Sequence, residues 1–544
     1  MEQVIESNQI HELGKRVLGD ARLAEAYRSS TLRLYDHRLQ AIAAVPGFEA
    51  LRERARALKR EVITHLDRYL EQFAGNVERH GGKVHWAADA REACELVVGI
   101  ARDCGATEVV KAKSMVSEEI DLNDALEAAG IRAVESDLGE YIVQLAHERP
   151  AHIVAPAIHK TRGDVADLFE RCVDPHRTDE PEELTAVARR ALRAVFSEAA
   201  VGVSGANFAV AETGTIVTVE NEGNIRFSTT APRVHVALAG IEKLIPRFED
   251  LAVFLRLLGR SGTGQKLTSY TSILTGPRRP GEDGPDEMHV ILIDNGRTRA
   301  LADEKMREAL YCIRCGACLN ACPVYRKIGG HAYGWVYSGP IGALITPELG
   351  GLKLARELPF ASSLCGACRE VCPVKINIPD LLLHLRARAQ ETVAAPRPPR
   401  SPVRERTAMR FWAWMMSSPR RYGLGARLAR IGQGLVARSS RSGHSGHSGR
   451  SAGRRRGGDV RRCEARGRTA RCDRARQAPR ARRSAARGVA APGRSAEPAS
   501  PRRLACARPA AGSRPGAGRC RCRRRRRARD GRRPHRPRRT PPSR

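Results

Sequence analysis

Seven cysteines in two short runs are the residues of this sequence most suited to chemistry. The runs are Cys312-x2-Cys315-x2-Cys318-x3-Cys322-Pro323 and Cys365-x2-Cys368-x3-Cys372-Pro373. Bacterial ferredoxins use C-x2-C-x2-C-x3-C-P, in which three thiolates bind one iron-sulfur cluster and the fourth binds the other. The two-residue gaps allow a tight turn to direct three sulfurs at one cluster. The spacing therefore predicts two 4Fe-4S clusters.

The crossed ligand rule gives each cluster residues from both runs. The first cluster receives Cys312, Cys315, Cys318 and Cys372. The second receives Cys322, Cys365 and Cys368, and Ser362 stands where a fourth cysteine would be. Its fourth iron is left open to Ser362, water, His331 or a group from a partner. A three-iron 3Fe-4S cluster is the remaining alternative.

Zinc is the main alternative metal, because pairs of cysteines with C-x2-C spacing are its usual ligands. Zinc sites close with four ligands in two pairs, whereas these thiols come as a four and a three, each ending in Cys-Pro. A metal-free role is disfavoured as well, because seven unpaired thiols are open to oxidation.

The elements that must position the cysteines change in type along the chain. Residues 1–80 predict a helical segment, since apolar residues recur at three- and four-residue steps. Residues 81–296 alternate short apolar runs, such as "KVHWA", "EVVKAK", "IRAVES" and "AHIVAPA", with helical stretches. This alternation predicts an α/β domain with a parallel sheet. Residues 297–395 predict a small all-α domain that holds both clusters.

The end of the chain has a different composition. Residues 396–437 predict a linker and an apolar, basic segment that could dock on a partner or lie on a membrane surface. From Arg438 onward there are 36 arginines and five acidic residues, so residues 438–544 hold +31 of the formal charge of +34. Such a composition predicts disorder. It favours a frameshifted or misannotated end over a basic arm, and so disfavours nucleic acid as a partner.

The rest of the sequence predicts a cytoplasmic protein. Its N-terminus lacks the charged and apolar regions of a signal peptide, and no stretch of about 18 apolar residues could span a membrane. Peripheral membrane contact through the apolar, basic segment stays open. In the cytoplasm thiols remain reduced, so clustered cysteines favour metal ligands over disulfides.

A second group of residues, in the α/β domain, predicts an anion pocket. Its members are Lys111, Lys113, His159, Glu212, Thr213, Gly214, Thr215 and Arg226. The two lysines end one predicted strand and His159 follows another, at the edge where open α/β sheets bind ligands. A 2-hydroxy or 2-oxo acid would suit such a pocket. The alternative is that Glu212 and the threonines only stabilise a turn.

No nucleotide-binding motif is complete in this chain. The stretch "GRSGTGQK" departs from a phosphate-binding loop because Gln265 occupies the lysine position, and no GxGxxG occurs. Without a bound hydride acceptor, the chain is expected to relay electrons and not to oxidise a hydroxy acid alone.

Several long motifs resemble, in their order, the lactate utilization protein B family. They are "VVKAKSMVSEEI", "ESDLGEYIVQLAHERPAHIVAPAIHK", "SGANFAVAETGTIVTVENEGN", "CIRCGACLNACPVY", "GGHAYGWVYSGPIG" and "SLCGACREVCPV". The resemblance covers about residues 1–435. It implies the iron-sulfur subunit of a three-part bacterial system that oxidises L-lactate to pyruvate, with the seven cysteines holding two four-iron clusters. It also implies a LUD-type α/β domain similar to the sugar-isomerase and CoA-transferase fold.

The expected partners are a Cys-rich oxidoreductase subunit and a second LUD-domain protein, and the electron acceptor is left open. Two functions follow from these observations. The first is an electron-transfer subunit of a lactate-oxidising complex. The alternative is a CoA-transferase-like acyl-transfer enzyme with Glu212 as its nucleophile.

Overall fold

The computed structural model describes residues 7–391, 403–424 and 426–427. The arginine-rich tail from residue 438, with its predicted disorder, lies outside these residues, and so does most of the predicted linker. In the described part, no helix is both long and apolar enough to cross a membrane.

Four α-helices precede the first strand in the described residues, as the apolar periodicity predicts. They are α1 (Ile10–Gly19), α2 (Ala21–Ala43), α3 (Phe48–Thr64) and α4 (Leu66–Arg79). The Asp20 side chain accepts a hydrogen bond from the Leu23 amide at 3.0 Å, which caps the start of α2. In α4, Phe73 and Val77 are buried on one face, four residues apart.

The described residues contain ten strands. They are β1 (Lys83–Ala87), β2 (Glu108–Lys111), β3 (Arg132–Glu135), β4 (Val201–Gly205), β5 (Phe208–Val210), β6 (Thr215–Glu220), β7 (Val234–Gly240), β8 (Leu244–Ile245), β9 (Tyr270–Leu274) and β10 (Glu287–Ile293). Six of them form one sheet in the order β1-β10-β7-β4-β2-β3. All its neighbouring strands are parallel, which confirms the predicted α/β domain with a parallel sheet.

The other four strands form a second sheet in the order β8-β5-β6-β9. Its β5-β6 and β6-β9 pairs are antiparallel and its β5-β8 pair is parallel. The sequence predicts an α/β domain with a parallel sheet and does not predict this second sheet. The reason is that both sheets contain buried, mainly apolar runs with the same period.

Helices flank and follow the strands of the α/β domain. They are α5 (Ala90–Asp103), α6 (Met115–Glu119), α7 (Leu122–Ala128), α8 (Leu138–Leu145), α9 (Arg162–Cys172), α10 (Pro181–Glu198), α11 (Asn224–Thr230), α12 (Leu251–Gly262) and α13 (Arg297–Ala302). Thr161 and Asp164 form a reciprocal capping box at the start of α9, so two otherwise unpaired amides are satisfied.

The strand predicted at "AHIVAPA" is wrong, because residues 151–157 form turns. The His152 ring accepts hydrogen bonds from the amides of Val154 at 3.0 Å and Ala155 at 3.3 Å. The amide of Ala151 also donates to the carbonyl of Pro156 at 2.9 Å. These local bonds fold the backbone on itself and compete with extended pairing.

The cysteine segment is helical, as predicted. Its helices are α14 (Ala317–Ala321), α15 (Tyr325–Ile328), α16 (Gly339–Leu349), α17 (Ala367–Val371) and α18 (Ile378–Glu391), and α19 (Val403–Met416) follows. The α2 helix contacts both α14 and α15, and α3 contacts the 3-10 turn Met306–Tyr311. One apolar core therefore joins the N-terminal helices, the second sheet and the cysteine segment.

Candidate metal centre

The two cysteine runs share one backbone conformation. Arg314 and Leu364 have φ of 57° and 55°, and Gly316 and Gly366 have φ of 77° and 86°. Each glycine precedes a five-residue helix, α14 or α17, that ends immediately before the last cysteine of its run. The left-handed conformation is unfavourable for arginine and leucine, so its presence at matching positions marks a structural repeat.

The seven thiols fall into two groups that mix the runs. Cys312, Cys315, Cys318 and Cys372 line one small cavity. In the other group, Cys322, Cys365 and Cys368 lie within electrostatic range of one another. The contact between α14 and α17 brings the runs together. Cys318 also interacts electrostatically with Cys368, so the two groups are neighbours.

Backbone amides point at the sulfurs of both runs. The amide of Arg314 donates to Cys312 Sγ at 3.4 Å, and that of Ile376 donates to Cys372 Sγ at 3.3 Å. Tyr325 makes the corresponding bond to Cys322 Sγ at 3.5 Å. Such bonds stabilise negative charge on sulfur, which metal-bound thiolates carry.

Ser362 occupies the position of Cys312 in the second run. Its Oγ accepts a hydrogen bond from the Leu364 amide at 3.1 Å, two residues later in the chain. The Arg314 amide makes the same bond to Cys312 Sγ in the first run. The serine oxygen and the cysteine sulfur are therefore equivalent within the repeat.

The buried thiols need a cationic partner to ionise. Burial, followed by the charge of the neighbouring cysteines, raises the pKa of Cys318 well above its ordinary value. Burial likewise raises the pKa of Cys372 to about 11 and of Cys368 to about 12. Thiolates so arranged are stable only beside a group that supplies positive charge. The donor set thus fits iron-sulfur clusters in kind, and its seven thiols are one fewer than two four-iron clusters bind.

Within the described residues, no group of three or more His, Cys, Asp or Glu side chains is arranged to hold a single metal ion. A four-iron cluster separates its ligand sulfurs more widely than one zinc ion does, because each sulfur binds a different iron.

Two arginines from the N-terminal helices bind the backbone around Cys372. Arg52 Nη2 donates to the carbonyl of Cys372 at 2.8 Å, and Arg38 Nη2 donates to that of Val371 at 3.0 Å. Both arginines are buried and bind carbonyls at the end of α17, where a cation is favourable. Sequence reasoning missed them, because helical periodicity gives no sign of a buried arginine that faces a distant loop.

A buried charge network joins the α/β domain to the cysteine segment. Arg297 donates to both carboxylate oxygens of Glu119 at 2.8 Å and also binds Glu242. Tyr337 donates to Glu119 at 2.6 Å, and Arg314 binds Glu242 at 3.3 Å. Burial alone would raise the pKa of Glu242, but the charges of Arg297 and then Arg314 hold it well below its ordinary value.

Two segments of the chain match models of known families. Residues 70–293 match the LUD domain, and residues 308–376 match the 4Fe-4S dicluster domain. The second match contains all seven cysteines and confirms that the segment is an iron-sulfur domain. The number of clusters and their individual ligands are finer questions that a match to the domain does not decide.

Curated relatives are similar over most of the chain. The lactate utilization protein B of Bacillus licheniformis is 46% identical over 406 residues, which is 74% of this chain and 84% of the relative. This chain belongs to the lactate utilization protein B family. The family's protein from Bacillus velezensis is 46% identical over 399 residues (73% of this chain, 83% of the relative). That from Bacillus thuringiensis is 44% identical over 411 residues (75% and 85%).

A solved structure of a duf162 family protein from Deinococcus radiodurans matches 42% of this chain and 98% of its own length. The identity is 14% and the TM-score is 0.22, and both values are too low for a comparison of the two folds.

The predicted anion-pocket residues have separate partners in this family member. Lys111 is buried between Glu118 at 2.9 Å and Glu135 at 2.6 Å. His159 donates to Glu148 at 2.6 Å. Lys113 differs from them, because it lines a cavity of about 220 Å³ beside the first cysteine run.

The remaining members of that group lie around the β5-β6 turn or nearby. Exposed Glu212 accepts a hydrogen bond from the Phe248 amide at 2.9 Å, and Thr213 donates to Thr215 at 2.8 Å across Gly214. Arg226 is exposed on α11. These contacts correspond to the turn interpretation, so the structure does not assemble the eight residues into one pocket.

The structure also shows the contacts of His331 and the exposure of the apolar, basic segment. His331 Nε2 donates to the carbonyl of Arg149 at 2.8 Å, which is a local hydrogen bond of the kind a histidine in such a loop commonly makes. In α19, Phe411, Trp412 and Trp414 are exposed. The prediction that this segment docks on a partner or a membrane surface stays a prediction.

Proposed function

We propose that this chain is the iron-sulfur electron-transfer subunit of a complex that oxidises L-lactate to pyruvate. Two 4Fe-4S clusters, when bound, supply one-electron carriers, and the chain's own residues hold them next to each other. The family supports lactate utilization as the setting. The observation that supports the proposal most is the grouping of the thiols across the runs: Cys372 lies with the first three cysteines of the first run, and Cys322 lies with Cys365 and Cys368.

The proposed ligands of the first cluster are Cys312, Cys315, Cys318 and Cys372, and those of the second are Cys322, Cys365 and Cys368. The two thiol groups described above support this division. Proximity of Cys318 to Cys368 supports a relay, since electrons then need to cross only the contact between α14 and α17. The proposed domains are residues 81–296 for the LUD domain and 297–395 for the two clusters.

The proposed partners are a Cys-rich oxidoreductase subunit and a second LUD-domain protein, and the proposed location is the cytoplasm. The exposure of Cys365 supports electron exchange through the second cluster. A cluster near the surface can approach a redox partner more closely than a buried one. In the second group Cys322 and Cys368 are buried beside exposed Cys365, whereas the first group has half-buried Cys312 and three buried cysteines.

Reduction by lactate tests this function. We expect L-lactate to reduce the clusters of the anaerobic chain when the partner subunits are present, and to leave the isolated chain oxidised. Electron paramagnetic resonance detects the reduced clusters, and D-lactate is the control. If dithionite reduces the clusters but L-lactate with the partners does not, the proposed function is wrong.

We further propose that Ser362 is the fourth ligand of the second cluster. The matched amide bonds to Ser362 Oγ and Cys312 Sγ support it, because they set the two atoms at equivalent points of the repeat. The carbonyl of Ser362 also accepts a hydrogen bond from Arg386 at 3.0 Å, which fixes the loop.

Substituting Ser362 should change the iron content without unfolding the chain. We expect Ser362→Cys to hold eight irons stably, and Ser362→Ala to lose about one iron on brief exposure to air, leaving a three-iron cluster. Mössbauer spectra and iron analysis measure this difference. Ser197→Ala is the control, since exposed Ser197 on α10 bonds only to carbonyls of its own helix. Equal iron retention by Ser362→Ala and wild type would contradict the assignment.

A further inference from the structure

A cavity of about 220 Å³ lies between the LUD domain and the first cysteine run. Its wall includes Lys113, just beyond the end of β2, and Lys243, in the 3-10 turn after β7. Arg314 and Cys315 line it from the cysteine segment. The space is smaller than the roughly 300–1,000 Å³ of pockets for drug-sized ligands, so it suits a ligand of few atoms.

The cations at this cavity have fewer hydrogen-bond acceptors within the described part of the chain than they have protons to donate. Lys243 is 8% exposed, and its ammonium makes no hydrogen bond within the described part of the chain. Lys113 Nζ donates to the carbonyl of Val154 at 3.0 Å, which occupies one of its three protons. A buried ammonium without an acceptor is costly, and a bound anion would remove that cost.

The charged groups at the wall differ in whether their hydrogen-bonding atoms are already bound. Arg314 contributes a third cation at the wall. Its side chain is 7% exposed, and its Nε and Nη1 atoms have no hydrogen-bond partner among the described residues. Three acidic residues also line the cavity. Glu220 accepts hydrogen bonds from the amides of Ile225 at 2.7 Å and Arg226 at 2.8 Å, and exposed Glu222 accepts one from the amide of Asn221 at 3.0 Å. Asp137 accepts from the amide of Glu140 at 3.1 Å, as the cap of α8.

We propose that this cavity binds the carboxylate of a short 2-hydroxy or 2-oxo acid, held by Lys113 and Lys243 beside Cys315. A carboxylate offers two oxygens, one for each ammonium. The identity of the acid rests on the proposed function, because substrate and product of lactate oxidation both carry this group. Lys113 belongs to the anion pocket predicted from the sequence, whereas Lys243 has no motif around it.

Calorimetry on the isolated, cluster-loaded full chain under anaerobic conditions tests the proposal. We expect saturable binding of L-lactate or pyruvate, and weaker binding of inorganic phosphate at equal concentration. Lys243→Met and Lys113→Met should each weaken the acid about 10- to 100-fold, the loss expected for one charged hydrogen bond. Lys83→Met is the control, since exposed Lys83 pairs with Glu287 away from the cavity.

The signal of the first cluster gives a second measurement. Because Cys315 lines the cavity, the bound acid should shift the paramagnetic resonance of the cluster in wild type and not in Lys243→Met. L-lactate and pyruvate are measured separately, so that the stronger ligand identifies the acid. Absence of binding of both acids overturns the proposal, as does unchanged affinity in both variants or equal binding of phosphate.

These outcomes are separate from a failure of the proposed function. The binding experiment needs no partner subunits and no electron transfer. A chain with intact clusters that binds no acid contradicts this inference alone, whereas a chain that binds acid but is never reduced by lactate contradicts the electron relay alone.

Discussion

Replacing Cys318 by alanine should remove the first cluster, and the iron content should fall from about eight per chain to about four. Cys318 is buried and lies within electrostatic range of Cys312, Cys315 and Cys372. Its loss leaves a cluster site with three thiolates in the interior, where water cannot easily replace the fourth. Iron and acid-labile sulfide are measured on protein purified without oxygen.

Cys172→Ala is the matched control for this experiment. Cys172 is an exposed free cysteine at the end of α9, outside both thiol groups. We expect it to keep the iron content of wild type. Full iron content in Cys318→Ala, or equal losses in the two variants, would contradict the assignment of Cys318 to a cluster.

Replacing Arg297 by methionine should lower the free energy of unfolding by about 3–5 kcal/mol. Arg297 is 1% exposed and neutralises two buried carboxylates, Glu119 and Glu242. Its removal leaves those charges inside the protein with too little compensation, although Arg314 still reaches Glu242. Urea denaturation of the cluster-loaded chain measures the change.

Two further variants show whether burial is the cause. Arg297→Lys keeps the charge but cannot bind Glu119 through two nitrogens, so an intermediate loss is expected. Arg91→Gln removes an exposed ion pair with Glu95 and should change the free energy of unfolding far less than Arg297→Met does. A loss in Arg297→Met no larger than in Arg91→Gln would mean that the network contributes little to stability.

The cysteine segment is the part that the sequence predicts best. The spacing of the two runs reports local turns, and the structure has the same turn twice, with Gly316 and Gly366 in left-handed conformations. The equivalence of Ser362 and Cys312 is also readable from the alignment of the runs. The spacing does not predict the hydrogen bond that each of these side chains accepts from a backbone amide.

Long-range contacts are the part that the sequence predicts least. Three buried arginines each donate a hydrogen bond to a residue more than 170 positions away. The pairs are Arg38 with Val371, Arg52 with Cys372, and Arg297 with Glu119. No local pattern records such pairs. The anion pocket illustrates the same limit, because Lys113 lines a cavity whose other ammonium, from Lys243, comes from a segment without a recognisable motif.

The sequence predicts secondary structure less well than the cysteine turns and better than the long-range contacts. The parallel strands follow from their apolar runs, whereas "AHIVAPA" has the composition of a strand and forms turns because His152 binds the backbone just after it. The predicted similarity of the α/β domain to sugar-isomerase and CoA-transferase folds stays a prediction. The acyl-transfer alternative requires Glu212 as nucleophile, and this residue lies on an exposed turn.

Mössbauer spectroscopy of the iron-57-labelled full chain, prepared without oxygen, tests the central claim most directly. Two neighbouring 4Fe-4S clusters predict spectra of four-iron clusters for all bound iron, at about eight irons per chain, with one iron site distinct because its ligand is not cysteine. A colourless chain that binds zinc, or iron held as isolated ions, would contradict the claim that these seven thiols hold a pair of clusters.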